Sequence, residues 1–233
     1  MEALTNFFLD KNCLKVLDVG TGTGNFTIQL RSAFPDAEIT GVDPSEEALT
    51  KARERFPDIL FMVGEAEHLP FKAGSFDAVA ISMALHHLTK VSKGLHEIKR
   101  VVKNEGWIII YEPVSDNLNK AQEVHKLHHH FRSRIDRILG ISHQKTFPKN
   151  QIIQMVENAG ITIRLHFEHT EKTKNPEVLE IEKWMEKMEQ QLEKIKGRPE
   201  YEEMKRQIPE IREKTIVNGF QPVTKLVLIG QKE

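Results

Sequence analysis

The sequence predicts an α/β fold: a doubly wound, seven-stranded, mostly parallel sheet with the last strand antiparallel, carrying helical insertions. Three observations predict it. Between residues 14 and 112 short apolar runs alternate with stretches of helical spacing, as in a parallel sheet covered on both faces. The first apolar run ends in alternating glycines that open at once into a helix. The last two strand-like runs form a pair with no final strand-helix-strand crossover of the parallel kind, so the last strand is expected to run antiparallel.

Leu14 to Val19 reads as a buried strand, and Asn25 to Phe34 then places Phe26, Leu30, Ala33 and Phe34 on one helical face. Glu38 to Val42 is the second strand. A helix from Ser45 directs Leu49, Ala52 and Phe56 inward. Ile59 to Val63, Phe76 to Ser82 and Trp107 to Tyr111 supply three more strands. The helix between the last two carries Val91, Leu95, Ile98 and Val102 at helical steps.

Beyond residue 112 the pattern changes. Asn119 to Leu139 reads as a helix rich in His and Arg, and Asn150 to Ala159 as another that Gly160 stops. Ile161 to Phe167 and Val223 to Ile229 alternate as strands. Between them Val178, Ile181, Met185, Met188, Leu192 and Ile195 recur as a short heptad seam. Gly197 and Pro199 break it, and Tyr201, Met204, Ile208 and Ile211 resume it, with Pro209 expected to kink the second helix. The predicted pair is an antiparallel hairpin. A seam this short is marginal alone in water, so its apolar face must dock on the chain's own helix 119–139 or on a second subunit.

Composition excludes several function classes. The 33 Lys and Arg balance 34 Asp and Glu, a net charge of −1, so there is no global footprint for a nucleic-acid backbone. One cysteine, Cys13, excludes an internal disulfide and a multi-thiolate zinc site. No apolar run approaches the ~20 residues that span a bilayer. The opening MEALTNFFLD lacks a basic n-region and a long apolar stretch, so no secretory signal is expected and a cytoplasmic location is.

The chemistry concentrates in the glycine turn Asp18-Val19-Gly20-Thr21-Gly22-Thr23-Gly24-Asn25. Alternate glycines let the backbone turn tightly and approach a ligand, and the helix beyond offers free amides. A dinucleotide fingerprint would need its third glycine at Asn25, and no Lys-Ser/Thr ends the run as in a P-loop. The second strand ends in Gly41-Val42-Asp43, where a carboxylate at the tip of an adjacent parallel strand can accept both hydroxyls of a ribose.

Five stretches together resemble the class I S-adenosylmethionine-dependent methyltransferases, in the branch that includes quinone C-methyltransferases. They are Val16 to Gly24, Gly41-Val42-Asp43, Gly64-Glu65-Ala66-Glu67-His68-Leu69-Pro70-Phe71, Phe76-Asp77-Ala78-Val79 running on to Leu85-His86-His87-Leu88, and Glu97 to Trp107. The resemblance covers residues 14–112 and implies a Rossmann-like fold with S-adenosyl-L-methionine as cofactor, that segment being the cofactor-binding core. The patterning beyond it is read as one domain, 1–233, in which 113–148 is a helical lid and 171–218 a helical hairpin insertion that the resemblance does not reach. The resemblance also implies that Gly20, Gly22 and Gly24 cradle the methionine part, with Asp18 near its amino group and Asp43 on the ribose. Glu65 and Ala66 would meet the adenine edge, and Ser82 and Met83 would lie beneath the sulfonium. The family usually has Asp where this chain has Glu65.

Methyl transfer from a sulfonium needs alignment and exclusion of water, with a base only for a nucleophile that holds its proton tightly. Histidine titrates in the useful range. His86 and His87, after the fourth strand, and Glu112, at the end of the fifth, are the catalytic candidates, with His87 expected to face the substrate. His125, His128, His129 and His130 share a helix and read as a solvated or cleft-lining face; no carboxylate completes a ligand set, and no metal is expected. The chain also lacks the Asn/Asp-Pro-Pro-Tyr/Phe loop of enzymes acting on base or amide nitrogens.

The expected activity is therefore methyl transfer to a small molecule by a monomer or homodimer, without nucleic acid or membrane. Two rivals are a nucleic-acid or protein methyltransferase, supported only by Arg132, Arg134 and Arg137, and a cofactor-binding partner subunit without its own chemistry.

Overall fold

Consecutive apolar residues in Val16–Leu17 and Ala78–Ile81 are what a strand covered on both faces requires, and both segments lie at the middle of the sheet. The computed structural model describes residues 1–172 and 175–233; residues 173 and 174 of the predicted 171–218 insertion lie outside the described residues. In chain order the first elements are α1 (Glu2–Phe8), β1 (Lys15–Val19), α2 (Thr27–Ala33), β2 (Glu38–Asp43), α3 (Glu46–Arg55), β3 (Leu60–Val63) and β4 (Phe76–Ser82). A 3-10 turn (Leu85–His87), α4 (Val91–Val101) and β5 (Val102–Pro113) follow. Then come α5 (Lys120–Ile138), α6 (Lys149–Asn158), β6 (Thr162–His169), α7 (Val178–Leu192), α8 (Tyr201–Asn218) and β7 (Lys225–Gln231).

The strand order is β3-β2-β1-β4-β5-β7-β6. The pairings β1–β2, β1–β4, β2–β3 and β4–β5 are parallel. The ladder of β5 with β7 runs the other way: Lys232 N donates to Gly106 O, and further along β5 Val114 N donates to the earlier residue Thr224. The last strand is thus antiparallel. The chain order reverses between β1 and β4, the switch point at which ligands bind in open α/β sheets.

The chain divides into two units. The first comprises Met1–Glu112, Lys149–His169 and Leu226–Glu233. One of its cores joins α1, α2 and α3 to the sheet through Phe8, Leu30, Phe34, Leu49, Phe56 and Ile109. The sequence patterning gives no element before Leu14, yet α1 forms, because Leu4 and Phe8 share a face and bury together. Phe8 packs 4.6 Å from Phe34 and 5.8 Å from Trp107, ring centre to ring centre. The fifth strand also starts earlier than its apolar run. Phe76 pairs with Val102 and Ala78 with Trp107, so residues 103–106 bulge out, with Glu105 at φ 61°.

The second unit comprises Pro113–Pro148 and Thr170–Lys225. Ile181, Met185, Met188, Leu192 and Ile195 turn inward with Met204, Ile208 and Ile211, against Phe131 and Ile135 of α5. The heptad seam therefore docks on the chain's own helix. Val178, at its start, stays exposed. Pro209 sits inside α8, which continues through it. Asn119 caps α5 with a reciprocal capping box to Gln122.

Candidate functional site

The glycine turn after β1 is built from packing demands and one vacancy. Gly20, Gly22 and Gly24 have φ of 67°, 54° and 77°, a left-handed backbone that side chains resist. A Cβ at Gly20 would lie 2.6 Å from the Ala84 methyl and one at Gly24 2.9 Å from the Phe56 ring. At Gly22 it would meet nothing within 4 Å. Packing explains the outer two glycines; the middle one presents an open backbone face.

That turn is fixed from several sides. Gly20 N and Thr21 N donate to Val42 O, and Gly22 N donates to Asp43 Oδ2 at 2.8 Å. Asp43 Oδ1 accepts from Ser45 N at 2.9 Å, and the Ser45 hydroxyl caps α3 by accepting from Ala48 N. Gly64 N donates to Asp43 O, which brings the segment of Glu65 and Ala66 beside the same strand tip. Glu65 is exposed and bridges to His68, and Ala66 is buried. Glu97 accepts from Leu69 N, and Arg100 donates to Leu69 O and Phe71 O, so that segment is pinned.

Asp18 lies under the turn with no exposure. Its Oδ2 accepts from the Thr21 hydroxyl at 2.7 Å and weakly from Thr27, while Oδ1 is buried with no partner. Burial pushes its carboxyl up to about 7, against the pull of the two threonine hydroxyls. An orphaned buried oxygen is a costly feature of a strand end unless a ligand completes it.

The turn after β4 is the second half of the site. Ser82 ends the strand; Met83 takes φ 53° and donates its N–H to Tyr111 O at 2.7 Å. Glu112, with no exposure, accepts from Leu85 N at 3.2 Å, His86 N at 3.1 Å and the His86 ring Nδ1. It thereby caps the 3-10 turn and immobilises a buried His86. His87 is exposed, its ring 4.4 Å from that of His86. The structure therefore separates the three catalytic candidates: Glu112 and His86 hold the turn, and His87 faces outward from it.

Hydrogen bonds tie Asp18 and Gly24 to Thr21 and Gly22 to Asp43, and the Ala84 methyl is set against Gly20. Patterning missed Thr21 and Thr27 as partners of Asp18. It also missed Arg55, whose guanidinium donates to Thr23 O and Asn25 Oδ1, both at 2.7 Å. The Asp-x-x-Thr spacing was a usable signal for Thr21; nothing local marks Arg55.

In the second unit the predicted histidine face disperses onto separate partners. His125 accepts from Val223 N, His128 pairs with the Thr215 hydroxyl, and His130 with that of Thr146. His129 and His143 meet through their Nε2 atoms at 3.1 Å, and Asp136 holds the other nitrogen of His143. Burial depresses His125, His128 and His130 to about 4, so each is neutral near pH 7.

Comparison with known proteins places this geometry. Residues 17–110 match the family described as "Methyltransferase domain". A demethylmenaquinone methyltransferase of Thermotoga maritima is 36% identical over 119 residues, covering 51% of this chain and 52% of that protein. A ubiquinone/menaquinone biosynthesis C-methyltransferase of Citrifermentans bemidjiense is 38% identical over 105 residues, covering 42% and 45%. The chain thus spans about half the length of the curated relatives it matches. Among solved structures, a putative methyltransferase from Bacillus halodurans superposes with a TM-score of 0.68 at 20% identity, covering 99% of this chain and 97% of that one. The first describes a sequence family and the last a fold, and both converge on the segment that carries the glycine turn. Residues 17–110 match the methyltransferase domain family, and the chain shares its fold with solved methyltransferase structures.

Proposed function

We propose that the protein transfers a methyl group from S-adenosylmethionine to a small-molecule acceptor. The observation that carries the reading is the buried, unpartnered Oδ1 of Asp18 at the start of the glycine turn, in which Gly22 leaves open space and fixes Asp43 through its N–H. The donor set suits this cofactor: a carboxylate for an ammonium, exposed backbone for the methionine part, and a second carboxylate for ribose hydroxyls. Both Asp43 oxygens already accept one backbone N–H each and retain a lone pair for a hydroxyl. Glu65 and Ala66 are assigned to the adenine edge, and Ser82 and Met83 to the reacting end.

When bound, the cofactor supplies an electrophilic methyl on a sulfonium that leaves as a neutral thioether. The chain's own residues do the rest. Asp18 ionises to pair with the ammonium, and Asp43 orients the ribose. The Glu112–His86 lock fixes the turn after β4, which holds Met83 and His87 in place. His87 takes the acceptor's proton where the acceptor holds one at neutral pH. Relatives named for demethylmenaquinone make a reduced quinone the first acceptor to assay.

Calorimetry with S-adenosylmethionine and S-adenosylhomocysteine tests the cofactor, with one-to-one binding expected and no binding overturning the reading. With an acceptor in hand, His87→Ala is expected to lower turnover about a hundred-fold and leave cofactor affinity unchanged. Unchanged turnover would remove His87 from the chemistry.

No helix among the described residues is long and apolar enough to cross a membrane. We assign the enzyme to the cytoplasm.

A further inference from the structure

The second unit contains a cavity that this function does not use. It measures about 310 Å³, within the range of small-ligand pockets, and is walled by α5, α8 and the segment after α5. Leu127, Phe131 and Ile211 form an apolar floor; Arg134, Arg137, Lys145 and Lys214 stand around it. Phe131 and Ile211 are core residues, so the floor is rigid.

The charges at the rim are not equivalent. Arg134 is closed off by a two-pronged ion pair with Glu203, both contacts at 2.7 Å, and Lys214 by Glu210 at 2.6 Å. Arg137 and Lys145 have no carboxylate partner among the described residues. Arg137 is nonetheless fixed. Its Nη1 donates to Ser133 Oγ at 3.1 Å and to His143 O at 2.6 Å, which leaves its Nε and Nη2 hydrogens for something else. A guanidinium anchored by neutral acceptors and otherwise uncommitted is a preorganised anion donor. His130 also lines the cavity, and burial together with Lys145, Lys126 and Arg137 holds its imidazole down at about 4, a sign of positive potential there.

We propose that this cavity binds a small phosphate monoester with an apolar body, its dianionic head on Arg137 and Lys145 and its body on Leu127, Phe131 and Ile211. Two uncompensated cations match the near-double negative charge of a monoester above its second pKa of about 6. The apolar floor distinguishes this ligand from a free phosphate ion. The site is built from one unit alone, so it stands whether or not the methyl-transfer reading does.

The test uses the full-length protein and phenyl phosphate as probe, titrated by calorimetry at pH 7.5 and low salt. One-to-one binding is expected, at least about ten-fold tighter than inorganic phosphate or phenol alone. Lys145→Gln, at an exposed position that leaves the core untouched, is expected to weaken it about ten-fold. Arg132→Gln removes a charge from the same helix that is paired with Asp136 and lies outside the cavity, and should leave binding unchanged. Asp43→Ala should leave it unchanged too, which keeps the probe off the glycine turn. Absence of saturable binding overturns the proposal. So does equal loss in Lys145→Gln and Arg132→Gln, which would report bulk charge, or equal affinity for inorganic phosphate, which would leave the floor without a role.

Discussion

Asp18 ends one side of the switch point and Glu112 lies at the end of β5, and both carboxylates are fully buried in the same sheet. They differ in what surrounds them. Glu112 accepts from two backbone N–H groups and an imidazole, so every part of it is spent on holding the turn after β4. Asp18 receives two hydroxyl contacts on one oxygen and nothing on the other. A satisfied buried carboxylate is structural, and an unsatisfied one is a place prepared for a ligand. Burial alone does not separate the two roles; the inventory of partners does.

The largest effect should come from breaking the satisfied one. Glu112→Ala strands Leu85 N, His86 N and the His86 ring, and should cost about 3–5 kcal/mol of stability in a urea titration. A loss below about 1 kcal/mol would mean the turn does not depend on this carboxylate. Asp18→Asn should act in the opposite sense on the ligand-free protein. Burial raises the Asp18 carboxyl from the ordinary carboxylate range to about 7, so its contribution is fully present below pH 4 and lost as pH rises through 7. The asparagine variant lacks that loss, and at pH 8 should be more stable than wild type by up to about 4 kcal/mol. Parallel stability curves for the two proteins from pH 4 to 8 would contradict the assignment.

The same titration should be visible in binding. Raising the pH from 5.5 to 7 ionises Asp18, and affinity for S-adenosylhomocysteine should rise roughly ten-fold in wild type and stay flat in Asp18→Asn. Asp43→Ala removes a charged acceptor and should weaken the same ligand by about ten- to a hundred-fold, or 1.5–3 kcal/mol. Unchanged affinity would take Asp43 out of the site.

The contrast between the two carboxylates also marks how far sequence reading reaches. The central strands were legible because burial on both faces demands consecutive apolar residues, as at Val16–Leu17 and Ala78–Ile81. The glycine turn and Asp43 were legible because spacing along one chain segment fixes where a turn and a strand tip fall. Glu112 was not, since its partners lie 26 and 27 residues away and a strand-end carboxylate looks the same whether satisfied or open. The histidines of α5 failed to read as separate contacts for a similar reason. Helical spacing predicts a shared face, but Val223, Thr215 and Thr146 come from distant segments and claim them individually. The helix α1 left no signal because it is seven residues long and has no side-chain cap.

The smallest effect separates the two tasks of one strand tip. Asp43 Oδ1 holds Ser45 N, and the Ser45 hydroxyl caps α3 through Ala48 N at 3.2 Å. Ser45→Ala keeps the backbone contact to Asp43 and loses only the cap, at a cost of about 1 kcal/mol in stability. Since Asp43 Oδ2 remains anchored by Gly22 N, its carboxylate should keep its orientation, and affinity for S-adenosylhomocysteine should stay within about two-fold of wild type. Stability falling while affinity holds would show that the glycine turn orients Asp43. A fall in affinity as large as the fall in stability would instead make the first turn of α3 part of the ligand site.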